Sequence, residues 1–291
     1  MLKVGFIGLG TMGFPIAGHI SQSYETAVFN RTTNKSQKWT SEFKGEVCES
    51  IKDLALKSNV IFLCLSEDKD IEEIVLGSDG IMEHLNEETI VVDHSTTSVD
   101  TATLISNELL KKDSIYLDAP VSGGEVGAQN GTLSVMIGGD QAAYIGISSI
   151  LECYSAFHKY MGPSGNGQLT KMINQICIAG LLQALAEAAS FSKKSGISSK
   201  DVLEVISKGA AQSWQMENRW DSMIDDQYNF GFAVDLMAKD LEIVSKFSKK
   251  IGANISVTET IKSYYKELQA QGAGKLDTSS LLKRLDMLDK D

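Results

Sequence analysis

The most constraining feature of this chain lies at its start. An apolar run at 3–7 leads into Gly8-Leu9-Gly10-Thr11-Met12-Gly13, after which Pro15-Ile16-Ala17-Gly18-His19-Ile20 continues as a helical pattern. In a G-x-G-x-x-G turn between strand and helix, the first glycine permits the tight turn and the second lets backbone approach a pyrophosphate. The third lets helix and strand close up, and the helix N-terminus presents N–H groups to the anion. Gly8, Leu9, Gly10, Thr11, Met12 and Gly13 are therefore candidate dinucleotide contacts. A chain with 25 glycines can produce this spacing by chance, but its place at the head of a βαβ pattern argues for the functional reading.

Further short apolar runs at 26–30, 60–65, 89–93, 115–118 and 133–137 alternate with helical patterns, bounded by Gly, Pro, Asn or Ser. That alternation predicts an α/β Rossmann domain with a doubly wound, mostly parallel sheet. After Met161 the pattern changes. Gly162-Pro163-Ser164-Gly165-Asn166-Gly167 punctuates the chain, and a long buried helix is predicted over 168–194, with shorter ones at 199–208, 217–224, 233–251, 256–271 and 279–289. The 291 residues amount to about two domains at ~150 residues each. The expected division is a dinucleotide-binding Rossmann domain at 1–162 and an all-helical substrate and oligomerisation domain at 163–291.

About 20 residues past the glycines, where an NAD site usually places an acidic residue on the ribose, this chain has Asn30-Arg31-Thr32. An acidic group there would repel a 2′-phosphate, whereas Arg31 can pair with one through its planar fork and Thr32 can offer a hydroxyl. NADP is therefore the preferred cofactor, with NAD as the alternative if Arg31 is only a solvated turn residue.

Charge and composition narrow the partners. With 27 basic against 38 acidic residues the net charge is −11, so nucleic acid would meet a repulsive surface, while a small anion remains compatible with a few oriented groups in one pocket. Cys48, Cys64, Cys153 and Cys177 form no C-x-x-C pair, so no metal site is expected and the thiols read as small buried hydrophobes. The glycine-broken N-terminal run suits a strand rather than a signal peptide. The apolar run at 176–191 is shorter than the ~20 residues a bilayer requires, so no membrane partner and a cytoplasmic location are expected.

In an open α/β sheet, ligands bind beyond the carboxyl ends of the strands. The residues there are small or hydroxyl-bearing: Ser66, Ser95-Thr96 and Ser122-Gly123-Gly124. Ser122 with the Gly123 and Gly124 amides can form a pocket for a carboxylate, although the same residues also dominate ordinary turns. Lys171 lies near the start of the long helix, with Asn174 at i+3 and Gln175 at i+4 on one face. A solvated face is the plain reading, and a catalytic acid/base with orienting amides is the functional one. An ordinary lysine, at ~10.4, needs burial and nearby positive charge to work near ~7–8. Lys239 and an oxidised nicotinamide ring are candidate sources of that charge.

Four ordered motifs spanning nearly the whole chain now resemble the β-hydroxyacid dehydrogenase family. They are GFIGLGTMG, DAPVSGGEVGAQNGTLSVMIGGD at 118–140, GNGQLTKMINQ at 165–175, and Lys239-Asp240-Leu241. The resemblance implies a Rossmann domain, a long interdomain helix and a helical C-terminal domain, with substrate held in the cleft between the domains, in a homodimer or homotetramer. It implies Lys171 as general acid/base, Ser122, Gly123 and Asn174 as substrate-orienting groups, Lys239 as the lysine that reaches the cofactor, and Leu65, Ser66 and Thr96 in nicotinamide-side loops. Some relatives place the functional amide where this chain has Gln175.

The SGGE segment resembles the 3-hydroxyisobutyrate and tartronate branches, whereas Asn30-Arg31-Thr32 is similar to the NADP-using glyoxylate/succinic semialdehyde branch. Imine reductases share the outline but generally lack the lysine, and 6-phosphogluconate dehydrogenase is a longer relative. The expected activity is reversible hydride transfer between NADP(H) and a small carboxylate substrate, interconverting a β-hydroxyacid and its semialdehyde, with reduction the favoured direction. A non-catalytic NADP-binding sensor is the rival from another class.

Overall fold

The alternation of β1 (Lys3–Ile7) divides its side chains between two cores: Val4 and Phe6 enter one, Ile7 the other. The same division recurs in β4, where Val60 and Phe62 oppose Ile61 and Leu63, because successive strand residues point to opposite faces. Helices must therefore cover both faces, which is what a doubly wound fold supplies.

The computed structural model describes residues 2–288. The remaining strands are β2 (Glu25–Phe29), β3 (Glu46–Val47), β4 (Val60–Leu63), β5 (Ile90–Asp93), β6 (Ile115–Asp118), β7 (Val121–Ser122), β8 (Leu133–Gly138) and β9 (Ser155–Gly162). The sheet order is β3-β2-β1-β4-β5-β6-β8-β7, with β9 paired to β8. From β3 through β6 the strands are parallel, whereas β8 runs antiparallel to β6 and β7. The six strands expected from the sequence are present, with ends shifted by a residue or two. β3, β7 and β9 were not anticipated: two have only two residues each, and β9 interleaves polar residues with Phe157 and Tyr160 in no clean alternation.

The helices of the sheet region are α1 (Gly13–Ile20), α2 (Thr33–Glu42), α3 (Ile51–Lys57), α4 (Asp68–Leu76), α5 (Val99–Leu110), α6 (Gly124–Asn130) and α7 (Gln141–Leu151). Thereafter come α8 (Asn166–Ser195), α9 (Ser199–Ile206), α10 (Trp214–Ile224), α11 (Val234–Ile251), α12 (Ser256–Ala270) and α13 (Leu281–Leu288). The last expected helix is thus confined to α13 after a 3₁₀ turn at Thr278–Ser280. Its expected final residue, Asp289, lies outside the described residues.

The chain divides into two compact units, Met1–Lys171 and Met172–Asp291. The boundary between these compact units falls inside α8, because the first turns of that helix are bonded to Asp118 and Val121 of the first unit. The second unit has its own core, in which Trp220, Tyr265, Leu241 and Leu281 are wholly buried with Ala179, Leu182 and Ala186 of α8.

At 30 residues, α8 meets the length and composition needed to cross a bilayer, correcting the argument drawn from 176–191 alone. A buried core helix meets the same criterion, and Ala179, Ala186 and Ala189 of α8 lie in that core. The cysteines also differ from expectation. Cys48 is buried, but Cys64 and Cys153 are only half-buried and Cys177 is exposed, because α8 turns Cys177 away from the core.

Candidate active site

The glycines after β1 meet three different environments. Gly8 has φ +101°, a left-handed value that favours glycine, and a side chain there would run into the Cys64 carbonyl at the end of β4. A side chain at Gly13 would strike the Gly8 carbonyl and the Phe6 ring. At Gly10 a Cβ would meet nothing within 4 Å. The loop lies where the strand order turns back around β1, between β2 and β4, the usual site for a dinucleotide.

Asn30 ties this loop to the end of β2. Its Oδ1 accepts from the Leu9 N–H at 2.9 Å, and its Nδ2 donates to the Thr32 carbonyl at 3.2 Å. The Asn30 amide is thus committed to the loop, leaving Arg31 and Thr32 exposed at the start of α2. The Met12 side chain at the N-cap of α1 makes no capping hydrogen bond, so the open backbone at Gly10 and the start of this helix fit the pyrophosphate of a nicotinamide dinucleotide.

Alongside the loop is a cavity of about 560 Å³ whose walls include Thr11, Lys35, Lys38, Glu42 and Glu125. The two lysines were missed in the sequence. Their only signal was their position in the first turns of the helix after Asn30-Arg31-Thr32.

At the carboxyl ends of β4, β5 and β6 a buried network joins three loops. The Leu65 N–H donates to Ser95 Oγ at 2.8 Å, and the Ser95 N–H donates to Asp93 Oδ1 at 2.8 Å. Tyr116 donates its hydroxyl to Asp93 Oδ2 at 2.7 Å. Asp118, register-paired with Asp93 across β5 and β6, accepts from the Gly165 N–H at 2.8 Å and the Gln168 N–H at 3.0 Å. Burial pushes both carboxyls up to about 6, against the pull of these hydrogen bonds.

Asp118 therefore pins the start of α8. Gln168 completes the network by donating Nε2–H to the Ser95 carbonyl at 2.8 Å while accepting from the Thr97 N–H at 3.1 Å. Leu65 and Thr96 are half-buried and Ser66 is exposed at this edge. Nearby, burial lowers His94 to about 4, so its neutral ring bridges the Ala119 carbonyl at 2.7 Å and the Tyr154 hydroxyl at 2.8 Å.

Ser122 lies in β7, paired with Ser134 of β8, rather than in the open turn read from the sequence. Gly123 and Gly124 follow with φ +131° and +64° and are exposed. Lys171 belongs to this same neighbourhood. Its side chain is buried, and Nζ donates to the Val121 carbonyl at 2.9 Å, one residue before Ser122. The solvated-face reading of Lys171 is thereby excluded.

The second unit holds a separate chain of contacts. Asn174 Nδ2 donates to Gln175 Oε1 at 2.8 Å, and Gln175 Nε2 donates to Asp240 Oδ2 at 2.6 Å. Lys239 Nζ stands 3.2 Å from Asp240 Oδ1. Gln175 is almost wholly buried with both ends of its amide engaged, whereas Asn174 is half-exposed. Asp240, quoted in the Lys239-Asp240-Leu241 motif but given no role from the sequence, is buried and pairs with the Lys239 charge.

Comparison with known proteins bears on the whole chain. Residues 3–162 match the NAD binding domain of 6-phosphogluconate dehydrogenase, and residues 165–285 match the NAD-binding region of NADP-dependent 3-hydroxyisobutyrate dehydrogenase. An uncharacterised oxidoreductase of Shewanella frigidimarina is 46% identical over 287 residues, covering 98% of this chain and 99% of that protein. The 2-hydroxy-3-oxopropionate reductase of Escherichia coli is 30% identical over 287 residues, covering 99% and 98%. Among solved structures, 3-hydroxyisobutyrate dehydrogenase from Salmonella typhimurium, 26% identical, aligns over 97% of this chain and 99% of its own with a TM-score of 0.87.

Proposed function

The chain belongs to the β-hydroxyacid dehydrogenase family of NAD(P)-binding oxidoreductases, and from that premise we propose that it interconverts a small β-hydroxyacid, 3-hydroxyisobutyrate-like, and its semialdehyde. The observation that carries this reading is the buried Lys171 ammonium held on the Val121 carbonyl, beside Ser122 and the two exposed glycines.

A nicotinamide dinucleotide held at the 8–13 glycine loop would supply a hydride, two electrons with one hydrogen, for the carbonyl carbon. Lys171 supplies the proton. As the carbonyl oxygen gains negative charge, the Nζ–H bond breaks toward it, an alcohol forms, and the neutral amine is reprotonated from solvent, so one proton is consumed per turnover. The Val121 carbonyl fixes the direction of the ammonium. Ser122 with the Gly123 and Gly124 amides holds the substrate carboxylate. Asn174, three residues beyond Lys171 on α8, orients the reacting oxygen, with Gln175 committed to Asp240. Leu65, Ser66 and Thr96 form the nicotinamide side.

NADPH is the preferred cofactor. Arg31 and Thr32 at the start of α2, with Lys35 and Lys38 in the adjoining cavity, support a 2′-phosphate there. The same segment favours a second reading, in which the physiological reaction is NADPH-dependent reduction of glyoxylate, succinic semialdehyde or tartronate semialdehyde. Self-association to a homodimer or homotetramer is supported by an apolar stripe on α8, where Ile173, Cys177, Leu181 and Phe191 are exposed.

The deciding experiment measures initial rates of NADPH and NADH oxidation with glyoxylate, succinic semialdehyde, tartronate semialdehyde and methylmalonate semialdehyde, for the parent and for Lys171→Ala. The expected result is turnover of one compound that falls by about 10²–10⁴ in the variant while NADPH affinity stays nearly intact. Equal turnover in Lys171→Ala overturns the mechanism. NADPH binding without turnover of any compound favours the sensor reading.

A further inference from the structure

Gln168 sits three residues before Lys171 on α8 and is wholly buried. Its amide brackets Thr96 from both sides, accepting from the N–H of Thr97 and donating to the carbonyl of Ser95. The backbone N–H of Gln168 is itself anchored on Asp118, and Ser95 receives the Leu65 N–H through its hydroxyl. One planar group therefore ties the loop after β5 to the turn of helix that carries Lys171, and through the Ser95 hydroxyl the loop after β4 as well.

The arrangement is polar in sense. Reversing the amide would set NH₂ against N–H and carbonyl against carbonyl, each an unsatisfied buried group. A side chain of this length meets both backbone partners only with a neutral acceptor at one end and a donor at the other. Ionised glutamate lacks the donor, whereas the protonated acid possesses both.

We propose that Gln168 is a positioning residue for the reaction, setting where the Thr96 loop stands relative to the Lys171 ammonium. This rests on the reading of Lys171 as proton donor and of the Thr96 loop as nicotinamide-side. Hydride and proton must arrive on adjacent atoms of one carbonyl group, so a displacement of about 1 Å between the two supports costs on the order of 10² in rate. Gln168 touches neither reacting atom. It acts through the loop and the helix it joins.

The test compares the parent with Gln168→Glu, Gln168→Met and Lys171→Ala from pH 6 to 8, using the compound that the parent turns over. Rates are taken as ratios to the parent at each pH, because charged and titratable neighbours are shared: Asp93 from β5, Tyr116 and Asp118 from β6, Asp68 from α4 through Ser98, and Lys171 on α8. At pH 8 both Gln168 variants are expected to lose about 10² in kcat, with NADPH dissociation constants within about threefold of the parent. Toward pH 6 Gln168→Glu regains at least about tenfold as its acid form restores the missing donor, while Gln168→Met stays flat.

Hydrogen exchange at the Thr97 amide in the cofactor-free protein, corrected for the intrinsic rate, supplies a readout apart from turnover. Protection should return in Gln168→Glu over the same pH range. Parent-like kcat in Gln168→Met, a Gln168→Glu profile parallel to the parent's, or losses that follow NADPH binding or unfolding each overturn the proposal. Absence of Lys171-dependent turnover in the parent defeats the underlying reading, and the positioning role falls with it. The two failures are distinguished because the second is seen before any Gln168 variant is made.

Discussion

Gly10 and Gly13 belong to one motif but answer to different neighbours, so the same substitution should separate binding from folding. Gly10 faces open space, and Gly10→Ala is expected to leave denaturation free energy within about 0.5 kcal/mol while weakening NADPH by about tenfold or more, since the added methyl stands where phosphate must approach. Gly13 abuts the Gly8 carbonyl, and Gly13→Ala should cost roughly 2 kcal/mol or more because backbone has to move. Urea denaturation and fluorescence titration of NADPH check both.

Arg31 tests the other end of the cofactor. Arg31→Ala should reduce NADPH affinity about 10–100-fold, the worth of a charge-assisted pair, with little change for NADH. An unchanged ratio of the two dissociation constants removes Arg31 from the phosphate site.

At the scale of elements, α8 does three things along one length. Its first turns are pinned by Asp118 and hold Gln168 and Lys171 in the first unit; its middle supplies Ala179, Leu182, Leu185 and Ala186 to the core of the second. Its remaining face carries Ile173, Cys177, Leu181 and Phe191, spaced by four, four and ten residues along one side. Phe191 is 77% exposed, a large aromatic surface to leave in water. Phe191→Glu is therefore expected to lower the mass found by sedimentation velocity, while unfolding of the protomer shifts by less than about 0.5 kcal/mol. An unchanged assembly state would remove this end of the stripe from the interface.

For the whole molecule, three buried titratable groups set a pH dependence of stability. Asp93 and Asp118 keep their protons to about pH 6 when folded, whereas an unfolded aspartate loses its own near 3.8. Between those values the native state binds more protons, so each carboxyl makes stability fall as pH rises, and the deficit is complete above about 6. His94 runs oppositely. Its folded value of about 4 lies below the ordinary 6.5, so stability rises with pH across that window. Asp93→Asn, whose Oδ1 still accepts the Ser95 N–H and whose NH₂ donates to the Tyr116 hydroxyl in place of the bond the carboxylate accepts from it, should gain on the parent as pH rises from 4 to 6.5, by about 3 kcal/mol at most. Chemical denaturation at those two pH values measures the gap, and a constant difference would refute the assignment.

The sequence by itself determined the parallel sheet, the glycine loop after β1, the helical second half and the lysine three residues before an asparagine. These follow from periodicity and fixed spacing, which are local: alternation of two marks a strand, and G-x-G-x-x-G is read within six residues. Only the tertiary structure decided which residues share a neighbourhood. Gln168, Asp118 and Asp240 fall within motifs read from the sequence, but their roles are not legible there, because an amide or carboxylate acquires its role from partners 47 to 73 residues away. Gln175 and Asn174, equivalent by helical spacing, were told apart only when Asp240 engaged one of them. Short strands such as β7 escaped detection for the same reason, since a two-residue ladder is defined by the strand it pairs with and leaves no period of its own.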